Sequence, residues 1–180
     1  MQAVKKLIVV LALFVSTVSY ADQGDIDVIL TGPSVHFTPR TGPNGHYNDY
    51  NWGGGISVEP LQDVIIKVGE NNNSLYNKSQ WVSLEYRFLR VDNFDFSVSE
   101  TRQNGYTSTY QYTSHGQQYT SVTGSNTIMS TNLMGCYTID VTESHKPQVC
   151  ALIPVIQSNT NQSFKSVSFS VRVPLFNFLD

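Results

Sequence analysis

Apolar and polar residues alternate with a period of two along much of the chain, which predicts β-strands. The pattern is clearest near the C-terminus, where Val167, Phe169, Val171, Val173 and Leu175 alternate with three serines, an arginine and a proline. With the turn residues between them, such segments predict about eight strands, in the ranges 34–38, 50–59, 64–68, 80–90, 94–99, 134–141, 148–156 and 166–175, with a further short edge segment at 25–30. Helical periodicity is absent from the sequence.

One long tract does not fit this alternation. Residues 103–127 contain no Asp, Glu, Lys or Arg and consist mainly of Ser, Thr, Tyr, Gln and Gly. Either a long extracellular loop or a pair of polar extended strands would have this composition, and the sequence leaves both open. Because no repeat or linker interrupts the chain, residues 22–180 are predicted to form one domain.

Composition distinguishes between two all-β architectures. Charged residues make up 14% of the chain, compared with about 25% in typical soluble domains. Alternation with few charges and many aromatics is typical of a transmembrane β-barrel, whose side chains face lipid and lumen in turn. A secreted β-sandwich shares the alternation and usually carries more charge. We therefore predict an all-β fold, a small antiparallel transmembrane barrel of about eight strands, with the sandwich as the alternative.

The first 21 residues have the three parts of a secretory signal peptide. Lys5 and Lys6 supply the positive region, residues 7–15 are apolar, and Ser19 and Ala21 are small residues before a cleavage site. Nine apolar residues are too few to span a bilayer, which takes about 20 in a helix. The remaining chain has 9 Lys and Arg against 14 Asp and Glu, a net charge of −5, which argues against nucleic-acid binding.

Two cysteines remain in the exported chain, Cys136 and Cys150. Their midpoint, residue 143, falls in a predicted turn over 143–147, so a hairpin would set the two side chains opposite each other. Disulfides persist in exported proteins. We predict a structural disulfide between them, because no histidine or basic neighbour favours a reactive thiol.

Signatures of common enzymes and metal sites are absent. The sequence has no Gly-x-Ser-x-Gly, His-Glu-x-x-His or phosphate-binding Gly-rich motif. The histidines at 36, 46, 115 and 145 lack the spacing of metal ligands. No metal or cofactor is expected.

The end of the chain has a feature of bacterial outer-membrane barrels, which resemble one another in finishing with an aromatic residue on an alternating strand. Here Phe176 and Phe178 are out of phase with residues 167–175. Because prolines in strands tend to lie at edges or bulges, Pro174 predicts a bulge that shifts the phase.

Three patches of sequence carry a resemblance to a known family. His36 lies on one extended segment, Tyr47 and Asn48 precede a Trp-Gly-Gly-Gly run, and Asn73-Ser74 precedes Asn77-Lys78. The run consists of Trp52, Gly53, Gly54 and Gly55. In this order the patches resemble PagP, the outer-membrane lipid A palmitoyltransferase family of Gram-negative bacteria.

The resemblance implies an eight-stranded barrel with an interior acyl pocket, which moves an acyl chain from a phospholipid to lipid A. Its partners would be phospholipid and lipopolysaccharide, and the barrel would act as a monomer in the outer membrane. His36 would be the general base, and the Ser74 hydroxyl would polarise or bind the ester. Asn73 occupies the position of the family's Asp; in serine-protease triads that exchange costs about 10⁴ in rate.

Other interpretations of the same residues remain open. A non-catalytic outer-membrane barrel, of cellular or phage origin, would alter the cell surface or block a receptor. A soluble exported β-sandwich would be a binding module. Structural roles also fit individual residues: Trp52 and Trp81 as an interfacial aromatic girdle, and the three glycines as a bend that lets strands close.

Overall fold

The computed structural model describes residues 24–37, 47–106, 108–114, 117–123, 127–141, 146–158 and 166–177. Within these ranges the strands are β1 (Asp25–His36), β2 (Gly53–Leu61), β3 (Val64–Asn72), β4 (Lys78–Val91), β5 (Phe94–Asn104), β6 (Ser108–Ser114), β7 (Gln117–Thr123), β8 (Thr127–Thr138), β9 (Gln148–Ser158) and β10 (Ser166–Asn177). The predicted signal peptide and Phe178 lie outside the described residues.

Eight of these strands close into an antiparallel barrel, in the order β1-β10-β9-β8-β5-β4-β3-β2. The predicted fold class is confirmed. Strands β6 and β7 pair only with each other, as a hairpin inserted between β5 and β8. Of the two possibilities for residues 103–127, the pair of strands is therefore correct.

The barrel has a polar interior and an apolar outer surface. On β4, for example, Ser83 and Glu85 are buried inside, whereas Val82, Leu84 and Phe88 point outward and are 45%, 55% and 49% exposed. This is the reverse of a soluble protein and is the arrangement of transmembrane barrels. In the part of the chain that is described, no helix is long and apolar enough to cross a bilayer.

Ion pairs fill the half of the interior that lies toward the two-residue turns at 62–63 and 92–93. Arg172 is 3.1 Å from Glu85, which also contacts Lys67. Arg87 is 3.1 Å from Glu59 and 3.3 Å from Asp95. Buried charges are stable only when they are paired, and these pairs close this end of the lumen with side chains.

The predicted disulfide is present between Cys136 and Cys150. The two residues are direct partners in the pairing of β8 with β9, and both are buried beside Met134. The bond links neighbouring strands on the lumenal side of the barrel.

Two glycines make room for an indole inside the barrel. Gly55 pairs with Gly69, which in turn pairs with Trp81. A Cβ on Gly69 would lie 2.4 Å from the Trp81 ring and 2.5 Å from the carbonyl oxygen of Gly54. The assignment of Trp81 to the aromatic girdle is therefore wrong, because the odd-numbered residues of β4 as far as Arg87 face the lumen.

Irregular pairing explains two features of the sequence. The predicted segment 25–30 and residues 34–36 of the next one belong to a single strand, β1, with a register shift between Thr31 and Ser34. On β10, Asp27 pairs with Pro174 and Ile26 pairs with Phe176, which leaves one residue between them unpaired. The predicted bulge next to Pro174 is confirmed.

Candidate active site

Three side chains form a hydrogen-bonded array at the end of the barrel opposite the ion pairs. His36, the last residue of β1, has Nδ1 2.7 Å from Oδ1 of Asp49. Its Nε2 is 2.9 Å from Oγ of Ser74. The imidazole is 5% exposed and the Asp49 side chain 58% exposed. A carboxylate, an imidazole and a hydroxyl in this order are the parts of a Ser-His-Asp triad.

An aromatic ring holds the imidazole from one side. The rings of His36 and Tyr47 are stacked, with centroids 4.6 Å apart. Tyr47 is buried against Leu75, and Tyr106 packs on the same cluster. With its face covered and both nitrogens hydrogen-bonded, the imidazole of His36 is fixed in orientation.

Backbone hydrogen bonds bring the three segments of the site together. Ser34 N donates to the carbonyl oxygen of Asp49 at 2.9 Å, and Asn48 N donates to that of Ser74 at 3.0 Å. The Asn48 side chain adds a bond from Nδ2 to the carbonyl oxygen of Asn73, at 3.1 Å. The segment beginning at Tyr47 thus joins the end of β1 to the loop between β3 and β4.

Asn73 has a different role from the one that the resemblance implies. Its Nδ2 donates to Ser79 Oγ at 2.7 Å and to the Gly105 carbonyl oxygen at 2.8 Å. Its Oδ1 accepts from the backbone N–H groups of Leu75 and Asn77, at 2.8 and 3.1 Å. An amide has two donors and two acceptor positions, so these bonds use its full capacity. Asn73 shapes the loop that carries Ser74, and the acid beside His36 is Asp49.

Sequence reasoning selected His36 and Ser74 but missed Asp49. This aspartate is 13 residues from His36 and lies between Asn48 and Tyr50, in a segment without regular strand structure. Its only signal in the sequence is that it is a carboxylate inside the Tyr-Asn…Trp-Gly-Gly-Gly patch. Trp52, from the same patch, is 57% exposed.

A cavity of about 160 Å³ opens beside Ser74. Hydroxyl and amide groups line much of it, together with a few apolar side chains; examples are Ser83, Thr101, Asn132, Trp81 and Ile128. An apolar cavity of roughly 150 Å³ holds one benzene molecule. The described cavity therefore has room for a reacting ester group.

Two of the three glycines of the patch also have a structural explanation. A Cβ on Gly53 would lie 2.1 Å from the carbonyl oxygen of Glu70. One on Gly55 would lie 2.3 Å from that of Val68. These positions therefore allow β3 to approach β2 closely. Within the described ranges, no group of three or more His, Cys, Asp or Glu side chains could hold a metal ion.

Comparison with known proteins gives a likeness of fold. No family model and no curated protein matches the chain. Among solved structures, the chain is similar to the N-terminal β-barrel domain of Pseudomonas aeruginosa OprF, with 12% sequence identity and a TM-score of 0.49. The match covers 85% of this chain and 98% of the other.

Proposed function

We propose that this protein is a PagP-like outer-membrane acyltransferase, which moves an acyl chain from a phospholipid to lipid A. The observation that supports the proposal is the array of Asp49, His36 and Ser74 at the mouth of a cavity. The barrel around it has an apolar outer surface suited to a bilayer. The order of residues around His36, Asn48 and Ser74 resembles that family. This resemblance is the basis for naming phospholipid and lipid A as the substrates.

The connections between strands suggest which membrane face the site would occupy. Outer-membrane barrels have short periplasmic turns and longer extracellular loops. The site lies at the end that carries the segment between β1 and β2 and the β6–β7 hairpin, whereas two of the three connections at the other end are two-residue turns. Val35, next to His36, is 48% exposed, so the site would lie at the rim of the lipid-facing band. Ester groups of outer-leaflet lipids would reach it there.

The array supports a double displacement. His36 Nε2 takes the proton of the Ser74 hydroxyl while Oγ attacks the ester carbonyl of the phospholipid, and Asp49 stabilises the imidazolium that forms. The leaving alkoxide takes the proton from His36 as the C–O bond breaks, which leaves an acyl-serine. A lipid A hydroxyl then gives its proton to His36 and attacks this ester. Ser74 leaves, regains its proton from His36, and the acylated lipid A is released.

Mass spectrometry of lipid A tests this function. Gram-negative cells would express the wild type, His36→Ala, or the control Gln80→Ala, which changes an exposed, outward-facing residue of β4. We expect one added acyl chain with the wild type and the control and none with His36→Ala, because the general base is gone.

Two results would contradict the proposal. An unchanged lipid A spectrum with the wild type, while heat-shifted gel mobility and membrane fractionation report a folded barrel in the outer membrane, would leave a non-catalytic surface barrel. Acylation that persists in His36→Ala would show that the array does not carry the reaction.

A further inference from the structure

Tyr106 shares the cavity with the candidate nucleophile. It follows the end of β5 and packs against Tyr47 and Leu75. Both Tyr106 and Ser74 line the cavity, and their side chains interact. A second hydroxyl therefore lies beside the atom that would attack the ester. The inference below rests on the proposed function.

Hydrogen-bond donors and acceptors determine where the phenol proton can go. Because a carboxylate only accepts, the bond to Asp49 requires a proton on Nδ1 of His36. Nε2 of the neutral ring is then an acceptor, and the Ser74 hydroxyl donates to it at 2.9 Å. The oxygen of that hydroxyl can then still accept a hydrogen bond from a second donor. The Tyr106 phenol donates to Gln103 Oε1, at a long 3.2 Å.

Gln103 is held in a fixed orientation by a neighbour. Its Nε2 donates to Asn71 Oδ1 at 3.0 Å, which turns Oε1 toward Tyr106. A neutral amide oxygen at 3.2 Å is a weaker acceptor than an oxyanion, since hydrogen bonds to charged groups are about twice as strong. An oxyanion formed on the ester carbonyl that Ser74 attacks would therefore compete with Gln103 for the hydrogen bond that the phenol donates.

We propose that Tyr106 is a catalytic residue that donates a hydrogen bond to the oxyanion of the tetrahedral intermediate. As the Oγ–C bond forms, the electron pair of the carbonyl double bond moves onto the carbonyl oxygen, and the phenol donates to that oxygen without losing its proton. When the intermediate collapses, the pair returns and the alkoxide leaves. Tyrosine is one of the side chains that serve in oxyanion holes.

The environment of the phenol favours its protonated form. Burial raises the pKa of Tyr106 above its ordinary value, because a phenolate would be poorly solvated. The residue therefore stays a donor at the pH values at which a histidine base works.

The test compares Tyr106→Phe with Tyr50→Phe. Both remove one hydroxyl from the site end of the barrel, but Tyr50 is 70% exposed and does not line the cavity. Initial rates of acyl transfer would be measured with purified, refolded barrels in detergent. For Tyr106→Phe we expect kcat to fall by about 10²- to 10³-fold and KM to change by less than about threefold. Tyr50→Phe should match the wild type.

Two further measurements separate oxyanion binding from a structural role. Tyr106→Phe should weaken binding of a tetrahedral alkyl phosphonate by a factor similar to its loss in kcat, because only that ligand carries the charge of the transition state. Binding of a non-hydrolysable ether phospholipid should be unchanged. The kcat of Tyr106→Phe should be lower by the same factor at every pH, since Tyr106 stays protonated at the pH values at which a histidine base works.

The possible failures are distinguishable. Tyr106→Phe with wild-type kcat, or with equal losses in ether-lipid binding and kcat, would overturn the role of Tyr106 while turnover by the wild type upholds the proposed function. A folded wild-type barrel that neither turns over a phospholipid nor binds the phosphonate would overturn both.

Discussion

Exchanging the acid between two positions is a sharp test of the array. Asp49→Asn removes the charge beside His36, and Asn73→Asp restores the residue that the resemblance implies. Two unit charges about 4 Å apart interact by roughly 1 kcal/mol in water and roughly 4 kcal/mol near a protein surface. Because the Asp49 side chain is 58% exposed, we expect its interaction energy with the imidazolium to lie between these two values. Asp49→Asn should therefore lower kcat between about fivefold and about a thousandfold.

Asn73→Asp should not increase the rate. The carboxylate would lose both donors, to Ser79 Oγ and to the Gly105 carbonyl oxygen, and would set a negative oxygen against that carbonyl. Leaving a buried acceptor without its donor costs roughly 1–3 kcal/mol. We expect a lower free energy of unfolding and a displaced loop around Ser74.

Initial rates of acyl transfer and urea unfolding of each variant would be measured on the same preparations. Asn72→Asp is a matched control, because it makes the same chemical change at the exposed last residue of β3. The reasoning fails if Asp49→Asn keeps the wild-type rate, or if Asn73→Asp is faster than the wild type.

Two predictions concern the barrel itself. Replacing Cys136 and Cys150 together by alanine should lower the free energy of unfolding by about 3 kcal/mol in the chain-entropy model; an unchanged urea midpoint would contradict this. Gly69→Ala should cost about 1–3 kcal/mol through overpacking against Trp81. The control Gly135→Ala, whose new Cβ would meet nothing closer than 3.7 Å, should be better tolerated. Equal midpoints for the two glycine variants would contradict the steric argument.

The fold followed from the sequence where alternation was regular. Residues 166–175 have one polar and one apolar face, and β10 covers Ser166–Asn177. Prediction was weaker where both faces of a strand are polar. Strand β8 begins at Thr127, seven residues before the predicted start, because polar Thr131 interrupts the expected apolar face. The hairpin strands β6 and β7 lack alternation for the same reason.

The candidate site was predictable only in part. His36 and Ser74 came from a resemblance in order and spacing, whereas local periodicity carries no information about contacts across 38 residues. Asp49 and Tyr106 lie in connections between strands, where side-chain direction has no period. Trp81 was assigned to the wrong face because a tryptophan suits both a membrane interface and a cavity beside glycines.

The β6–β7 hairpin can be regarded as a separable module. It leaves the barrel after Asn104 and returns at Thr127, and these two residues are already direct partners in the pairing of β5 with β8. Strands β5 and β8 are therefore paired right up to the point where the hairpin begins. Substitutions within β6 and β7 should therefore leave the pairing of β5 with β8 intact. For the same reason, a foreign epitope displayed there would be carried on an unchanged scaffold.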